Sequence, residues 1–509
     1  MTMLFYNILL KGCVNGKIGA AVFEDTKLND LLNHFLAKEQ VENVVDVLKD
    51  PLQPDDIELR QELFLELEKD HVEQYLLKLK DELWQLTQSY ETYAKTPEDK
   101  SYKQIHYANL MLAYVRFVEG ICNKSVYEAS QSLLLREFIQ SFLLIQATAQ
   151  YTELSREVKS LKGELVSIGT IMMDINTTNA VPRKVRLKKE TKPFAASELM
   201  EVAQQFGIDK RQLNIKNEEM TQCFMDALAK LYPEIFNHLT KFYHAYKEHF
   251  NPEILNYTKQ ISFYLNMKAL YTELRNHNVP ISMPMVTTRK DIKISSAYDI
   301  SLLVKMESGI VPNEVDFNES QGFFILTGAN GGGKTAYLRM LGICQILFLA
   351  GGYIPAIKGV IYPFNKIYTH FPVEESLDGV GRLKEEQRRV AEILSDVDEN
   401  SMVLLNETFS STNEELSVGI SYELLQELCK KGAYGIFVTH QHQLCEAAKS
   451  ISARTRIDYL TTRVLQDDKK TRTYKIIKNS TDNCSYAQSV LERYGLSRER
   501  LLERFSEVD

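Results

Sequence analysis

"TGANGGGKTAYLRM", residues 327–340, is the stretch whose reading decides the fold. Glycine loses more backbone freedom on folding than any other residue, so Gly328, Gly331, Gly332 and Gly333 are costly to order together. The pattern is Gly328-x-x-x-x-Gly333-Lys334-Thr335. It follows "GFFILT", a short apolar run that predicts a buried strand, and it precedes "AYLRMLGICQILFLA", which has helical spacing. Strand, glycine-rich turn and helix together are the context of a phosphate-binding loop. Backbone N–H groups of Gly328, Ala329, Asn330, Gly331, Gly332 and Gly333 can curl round an anion, and the helix points its positive end at the same place. Lys334 is expected to reach the β and γ phosphates, and the Thr335 hydroxyl to ligate Mg²⁺.

Working outward, "SMVLLNETFSST" (401–412) sets a second apolar strand before the polar pair Asn406-Glu407. Ligands gather at the carboxyl ends of parallel strands. Glu407 is placed to orient and deprotonate an attacking water. The position before it commonly carries an Asp on the Mg²⁺ side; Asn406 offers an amide oxygen without charge, so weaker Mg²⁺ affinity is expected. "GIFVTHQHQL" (435–444) predicts a third buried strand ending at Thr439-His440. His440 can report a γ-phosphate by hydrogen bonding, whereas His442 lies beyond the strand end. "GVGRLKEEQRRVAEIL" (379–394) predicts an amphipathic helix with Leu383, Val390, Ile393 and Leu394 on its apolar face. A helix opening on Gly381 can offer N–H groups to a phosphate, or be an ordinary charged helix.

The chain's 509 residues require at least two domains. At 44% hydrophobic and 25% charged it has the composition of a soluble globular protein. No uncharged apolar run approaches the roughly 18 residues of a membrane helix, so no membrane partner is expected. The opening "MTMLFYNILLKG" has no basic leader and is interrupted by Asn7, which disfavours a signal peptide. The seven cysteines form no C-x-x-C pair, arguing against structural zinc and a disulfide framework and for a reduced, cytoplasmic setting. A net charge of −8 neither requires nor excludes nucleic acid, because a local basic face is enough. "PRKVRLKKETK" (182–192) is such a candidate, with Arg183, Lys184, Arg186, Lys188, Lys189 and Lys192; a solvated charged loop is the alternative.

Between Pro97 and Pro182 the chain has no proline, and Val72, Leu76, Leu79, Leu83 and Leu86 recur at helical intervals. Residues 160–195 turn rich in Ile, Val and Thr and predict a small strand-containing insert. Helical pattern then returns until "NHNVPISMP", after which strands and helices alternate. The expected division is a mostly α-helical part, 1–290, before an α/β nucleotide-binding part, 291–509.

These segments, in this order, resemble the ATPase domain of the MutS mismatch-repair family, a branch of the ABC-type ATPases. "TGANGGGKT" resembles its Walker A with Ala329 and Gly331 in place of Pro and Met, "VLLNETFSSTNEE" its Walker B and D-loop with Asn406 in place of Asp, and "FVTHQHQL" its His switch. "GGYIPA" (351–356) matches the segment after the Walker A helix, "GRLKEEQRRVAEIL" the signature-helix region without the family's Ser-Thr, and "YKIIKNSTDNCSYAQSVLERYGL" (474–496) the final segment. "LKDPLQPDDIELRQELFLEL" (48–67) and helices within 218–277 are similar to the family's helical core. The resemblance implies an ABC-type P-loop ATPase domain preceded by a core and lever domain whose small insert is clamp-like. No room remains for the N-terminal mismatch-recognition domain, so a shortened form is expected. It further implies ATP and Mg²⁺ as ligands and a homodimer through the ATPase domains, clamping double-stranded or branched DNA. Two rival readings remain: a nucleotide-gated dimeric adaptor with little turnover that recruits an unidentified protein partner, and an ABC-type ATPase acting on protein.

Overall fold

The computed structural model describes residues 6–10, 12–13, 16–98, 102–168, 171–178, 181–189, 218–320, 322–372, 379–409, 413–452, 457–464 and 472–479. Its contacts separate into two compact units, one of Met1–Ile8 with Lys69–Ile261, the other of Leu9–Glu68 with Ser262–Asp509. Chain order alone suggests a single division at 290. The contacts instead place an early segment, which carries the short strand β1 (Lys17–Ile18), in the C-terminal unit.

The first unit is built on long helices. Asp70–Lys95 buries Val72, Leu76, Leu79, Leu83 and Leu86, the stripe that the sequence spacing describes. Lys103–Ile121 is apolar on most sides and is correspondingly buried. The helices that follow begin on side-chain caps: Asn123 accepts from the Val126 N–H, Ser132 from Leu135 and Thr148 from Tyr151. Each cap satisfies one N–H that the first helical turn leaves without an internal partner. Phe117, Phe138, Phe142 and Tyr257 form an aromatic cluster with ring centroids 5.1–6.4 Å apart. The Ala149–Ser167 helix leads into an antiparallel hairpin of β2 (Ile171–Thr178) and β3 (Val181–Lys189), with Ile175 opposite Val185 and Asp174 opposite Arg186. Helices Glu218–Leu231 and Pro233–Tyr246 follow, the second with proline in its first turn, where its missing N–H costs nothing.

The second unit holds two sheets. β4 (Met285–Val286), β5 (Ile292–Ala297), β6 (Asn313–Phe317) and β8 (Lys358–Ile361) make a small mixed sheet, ordered β4-β8-β5-β6. The larger sheet includes β7 (Phe323–Thr327), β9 (Lys366–His370), β10 (Ser401–Asn406), β11 (Tyr434–Val438), β12 (Ile457–Val464) and β13 (Arg472–Asn479). Its order is β1-β9-β10-β11-β7-β12-β13, parallel throughout except for the closing β12–β13 pair. Strands covered on both faces read as unbroken apolar runs, as β7, β10 and β11 do. The Lys334–Leu349 helix is buried almost all round.

Residues 9–68 join this unit because they pack on that helix and its exit. The Leu52 N–H donates to Leu349 O at 3.0 Å. Arg60, wholly buried, donates to Ala350 O at 3.2 Å and lies over the Phe263 ring at 5.4 Å. Asp25 accepts from Arg389 at 2.9 Å and from Thr369 at 2.7 Å, tying the Gly379–Asp396 helix and β9 to the same early segment.

Candidate functional site

Strand order decides where the site forms. β7 lies between β11 and β12, and β10 is on the far side of β11, so the ends of β7, β10 and β11 open on one edge of the sheet. The loop after β7 closes with the Gly332 N–H on Ala329 O at 3.1 Å and passes into the helix at Lys334. Two glycines are sterically required. Gly328 has φ +133°, and a Cβ there would sit 2.3 Å from Thr462 Oγ1 of β12. Gly333 caps the helix at φ +94°, a left-handed conformation that side chains disfavour.

The loop side chains turn inward. Lys334 Nζ donates to Gly328 O at 2.8 Å, Ala329 O at 3.2 Å and Asn330 Oδ1 at 3.5 Å. Burial holds its pKa below the usual lysine value, opposed by the charge of Glu407. Thr335 Oγ1 accepts from Asn406 Nδ2 at 3.3 Å. Asn406 Oδ1 is buried without a hydrogen-bond partner. Thr335 and Asn406 thus present oxygen donors of the hard type that Mg²⁺ takes, one of them unsatisfied, and the donor set fits that ion.

Glu407 is left-handed at φ +49°, rare for a residue with a side chain, and Phe409 follows at φ +64°. The Glu407 N–H donates to Val438 O of β11 at 2.9 Å, and its Oε1 lies 3.9 Å from His440 Nδ1. His440 is half exposed at the end of β11, and His442 starts the next helix, His442–Ser452. Behind them runs a connection that sequence reasoning missed: Gln441 Nε2 donates to Ser417 Oγ at 2.7 Å, which donates to Phe409 O at 2.8 Å. It joins the chain after Glu407 to the chain after His440. A lone glutamine between two histidines carries no such signal.

A cavity of about 530 Å³ opens beside the loop, lined by Asn330, Gly331, Gly333, Lys334, Thr335, Asn406 and Glu407. That is within the range of small-ligand pockets. Leu302, Met306, Ile310, Val311, Tyr474 and Asp299 also line it, and of these only Tyr474 falls in a stretch that the sequence singles out. Tyr474 has φ +54° and is held by Asn313, whose Nδ2 donates to Tyr474 O at 3.0 Å and whose Oδ1 accepts from the Ile476 N–H at 2.8 Å. The basic candidates Arg183, Lys184, Arg186, Lys188 and Lys189 fall on β3. Lys192 lies outside the described residues. Among the described residues no helix is long and apolar enough to cross a membrane.

The family model described as MutS domain V matches residues 324–505. A DNA mismatch repair protein MutS from Chlorobium chlorochromatii (strain CaD3) is 28% identical over 208 residues, 40% of this chain and 23% of that protein. One from Thermotoga petrophila is 27% identical over 210 residues, 41% of this chain and 26% of that protein. MutS protein homolog 4 of Homo sapiens is 29% identical over 136 residues, covering 26% of this chain and 14% of that protein. The chain therefore matches about a quarter or less of these relatives' length.

Proposed function

We propose, from the match of residues 324–505 to MutS domain V and from the similar MutS proteins, that the chain is a MutS-family, ATP-dependent DNA-binding protein. In this reading an ABC-type P-loop ATPase domain, residues 291–509, drives a helical core and lever domain. The observation that carries the reading is the cavity on which Lys334, Thr335, Asn406 and Glu407 converge from separate strand ends. The loop N–H groups from Gly328 to Gly333 bind the phosphates and Lys334 neutralises them. The Glu407 carboxylate takes the proton of the attacking water, and His440, at 3.9 Å, senses the γ-phosphate and steadies Glu407. Thr335 and Asn406 would hold Mg²⁺, which when bound supplies positive charge to the phosphate oxygens. Two copies pair through their ATPase domains, and the levers hold duplex or branched DNA. Asn406 supports a second reading, a dimeric adaptor that binds ATP with little turnover and recruits a protein partner.

Asn406→Asp restores a full charge to the metal side. It is expected to lower the Mg²⁺ concentration needed for tight ATP binding by about tenfold, checked by titrating Mg²⁺ at fixed ATP. An unchanged requirement removes Asn406 from the metal shell.

DNA binding is tested through its salt dependence. Neutralising Arg183, Lys184, Arg186, Lys188, Lys189 and Lys192 together is expected to weaken binding to duplex at every salt concentration. The slope of log affinity against log salt should flatten by about 0.9 for each DNA phosphate that is no longer neutralised. An unaltered slope would move the DNA surface elsewhere, and no DNA binding by the unmodified protein would overturn the reading.

A further inference from the structure

The β12–β13 hairpin runs along the phosphate loop. A Cβ at Gly332 would lie 2.8 Å from Thr462 Cγ2, and one at Gly333 would lie 3.5 Å from Tyr474 Cα. A Cβ at Gly331 would lie 2.6 Å from Arg472 Nη1 and 3.0 Å from Arg472 Cζ. The charged fork of Arg472, not its stem, is therefore the part that rests against the loop. Gly331 has φ +72°, and any side chain there would push the guanidinium away. The strand pairing fixes the base of this arm, since Arg472 stands opposite Val464 of β12.

The charge of Arg472 has no use within the fold. The residue is exposed, and among the described residues no carboxylate pairs with its guanidinium and no carbonyl accepts from it. The other cations of β13 are engaged: Lys475 donates to Pro312 O, and Lys478 pairs with Asp316 at 3.2 Å. Gly331 and Tyr474 both line the cavity, so the guanidinium stands at the edge of the space on which Lys334 converges. A cation beside a loop of N–H groups and a helix N-terminus gains nothing from either, because all three are positive ends. An anion between them gains from all three.

Resting on the ATP-site reading above, we propose that Arg472 is a second phosphate-binding cation, supplied by β13 of the same chain, which contacts the phosphates of the bound nucleotide from the Gly331 side. Its planar fork matches two phosphate oxygens at once, as an ammonium does not. Lys334 approaches the phosphates from the start of its helix, and Arg472 approaches them from the closing hairpin of the sheet. Asn406 brings no charge to the metal side, so more of the phosphate charge is left for side chains to meet, and Arg472 meets it.

ATP binding to the full chain, with Mg²⁺, tests this in the unmodified protein, Arg472→Ala and Arg472→Glu. Arg472→Ala is expected to weaken ATP binding about tenfold, the lower end for hydrogen bonds to a charged group because the site is exposed. Arg472→Glu sets a carboxylate against the phosphates and is expected to bind ATP weaker still, by about a further threefold or more. The melting temperature without nucleotide should be unchanged in both, since the side chain holds no other element. Salt separates a phosphate contact from a structural role. Between about 0.1 M and 1 M salt the Debye length falls from about 10 Å to about 3 Å, and the gap between the unmodified protein and Arg472→Ala should narrow to less than about threefold. ATP affinity unchanged in Arg472→Ala, Arg472→Glu binding no worse than Arg472→Ala, or a gap that salt does not narrow overturns the Arg472 assignment alone. Failure of the unmodified chain to bind ATP overturns both this inference and the ATP-site reading.

Discussion

Lys334→Ala is expected to abolish ATP binding within a measurable range, a loss of roughly a hundredfold or more. The ammonium sits in the loop with three oxygen acceptors within 3.5 Å. Arriving phosphate oxygens exchange those neutral acceptors for charged ones, and charge-assisted hydrogen bonds are about twice as strong. Burial adds to the effect, since a buried cation gains more from an anionic partner than a solvated one does. The substitution also takes the Lys334 donor from the Gly328 carbonyl, so a melting curve must accompany the binding titration. Normal affinity in a folded Lys334→Ala protein would remove the phosphate assignment.

Glu407→Gln is expected to leave ATP binding nearly intact while lowering turnover by about 10²–10⁴-fold, the range spanned by positioned general bases. Gln has the same length and can keep the left-handed backbone and the N–H bond to Val438 O. It lacks only the basic oxygen. A residue held in a sparsely populated backbone region persists when its surroundings over-determine it; here the Val438 contact and the Gln441–Ser417–Phe409 connection do so. If the unmodified protein hydrolyses ATP and Glu407→Gln does so equally fast, the base lies elsewhere. If turnover is negligible in both while ATP binds, the adaptor reading replaces the ATPase one.

What the sequence disclosed follows the range of the interactions involved. The Phe323–Thr327 strand and the helix from Lys334 are legible because local rules act there: a continuous apolar run, a glycine turn, then helical spacing. The same holds for Ser401–Asn406 and Tyr434–Val438, whose burial on both faces leaves no polar alternation to confuse them. Residues 9–68 are not legible as part of the C-terminal unit. Their attachment is made by Leu52, Arg60 and Asp25 to partners some 300 positions away, and no local pattern encodes such pairs. At the site, the loop, Asn406-Glu407 and His440 carry motif signals, but Leu302, Met306, Ile310 and Val311 do not. Tyr474 reaches the cavity because β13 turns back antiparallel on β12, and Asp299 before a short turn reads as a cap.

If nucleotide and DNA affect one another through this chain, the most direct measurement is ATP affinity with and without saturating DNA. Linkage requires that a DNA-induced change in ATP affinity be matched by an equal ATP-induced change in DNA affinity. A shift of about fivefold or more is expected with duplex or four-way-junction DNA, and no shift in Lys334→Ala because the nucleotide no longer binds. The same ATP affinity with and without DNA that is itself bound would contradict the coupling.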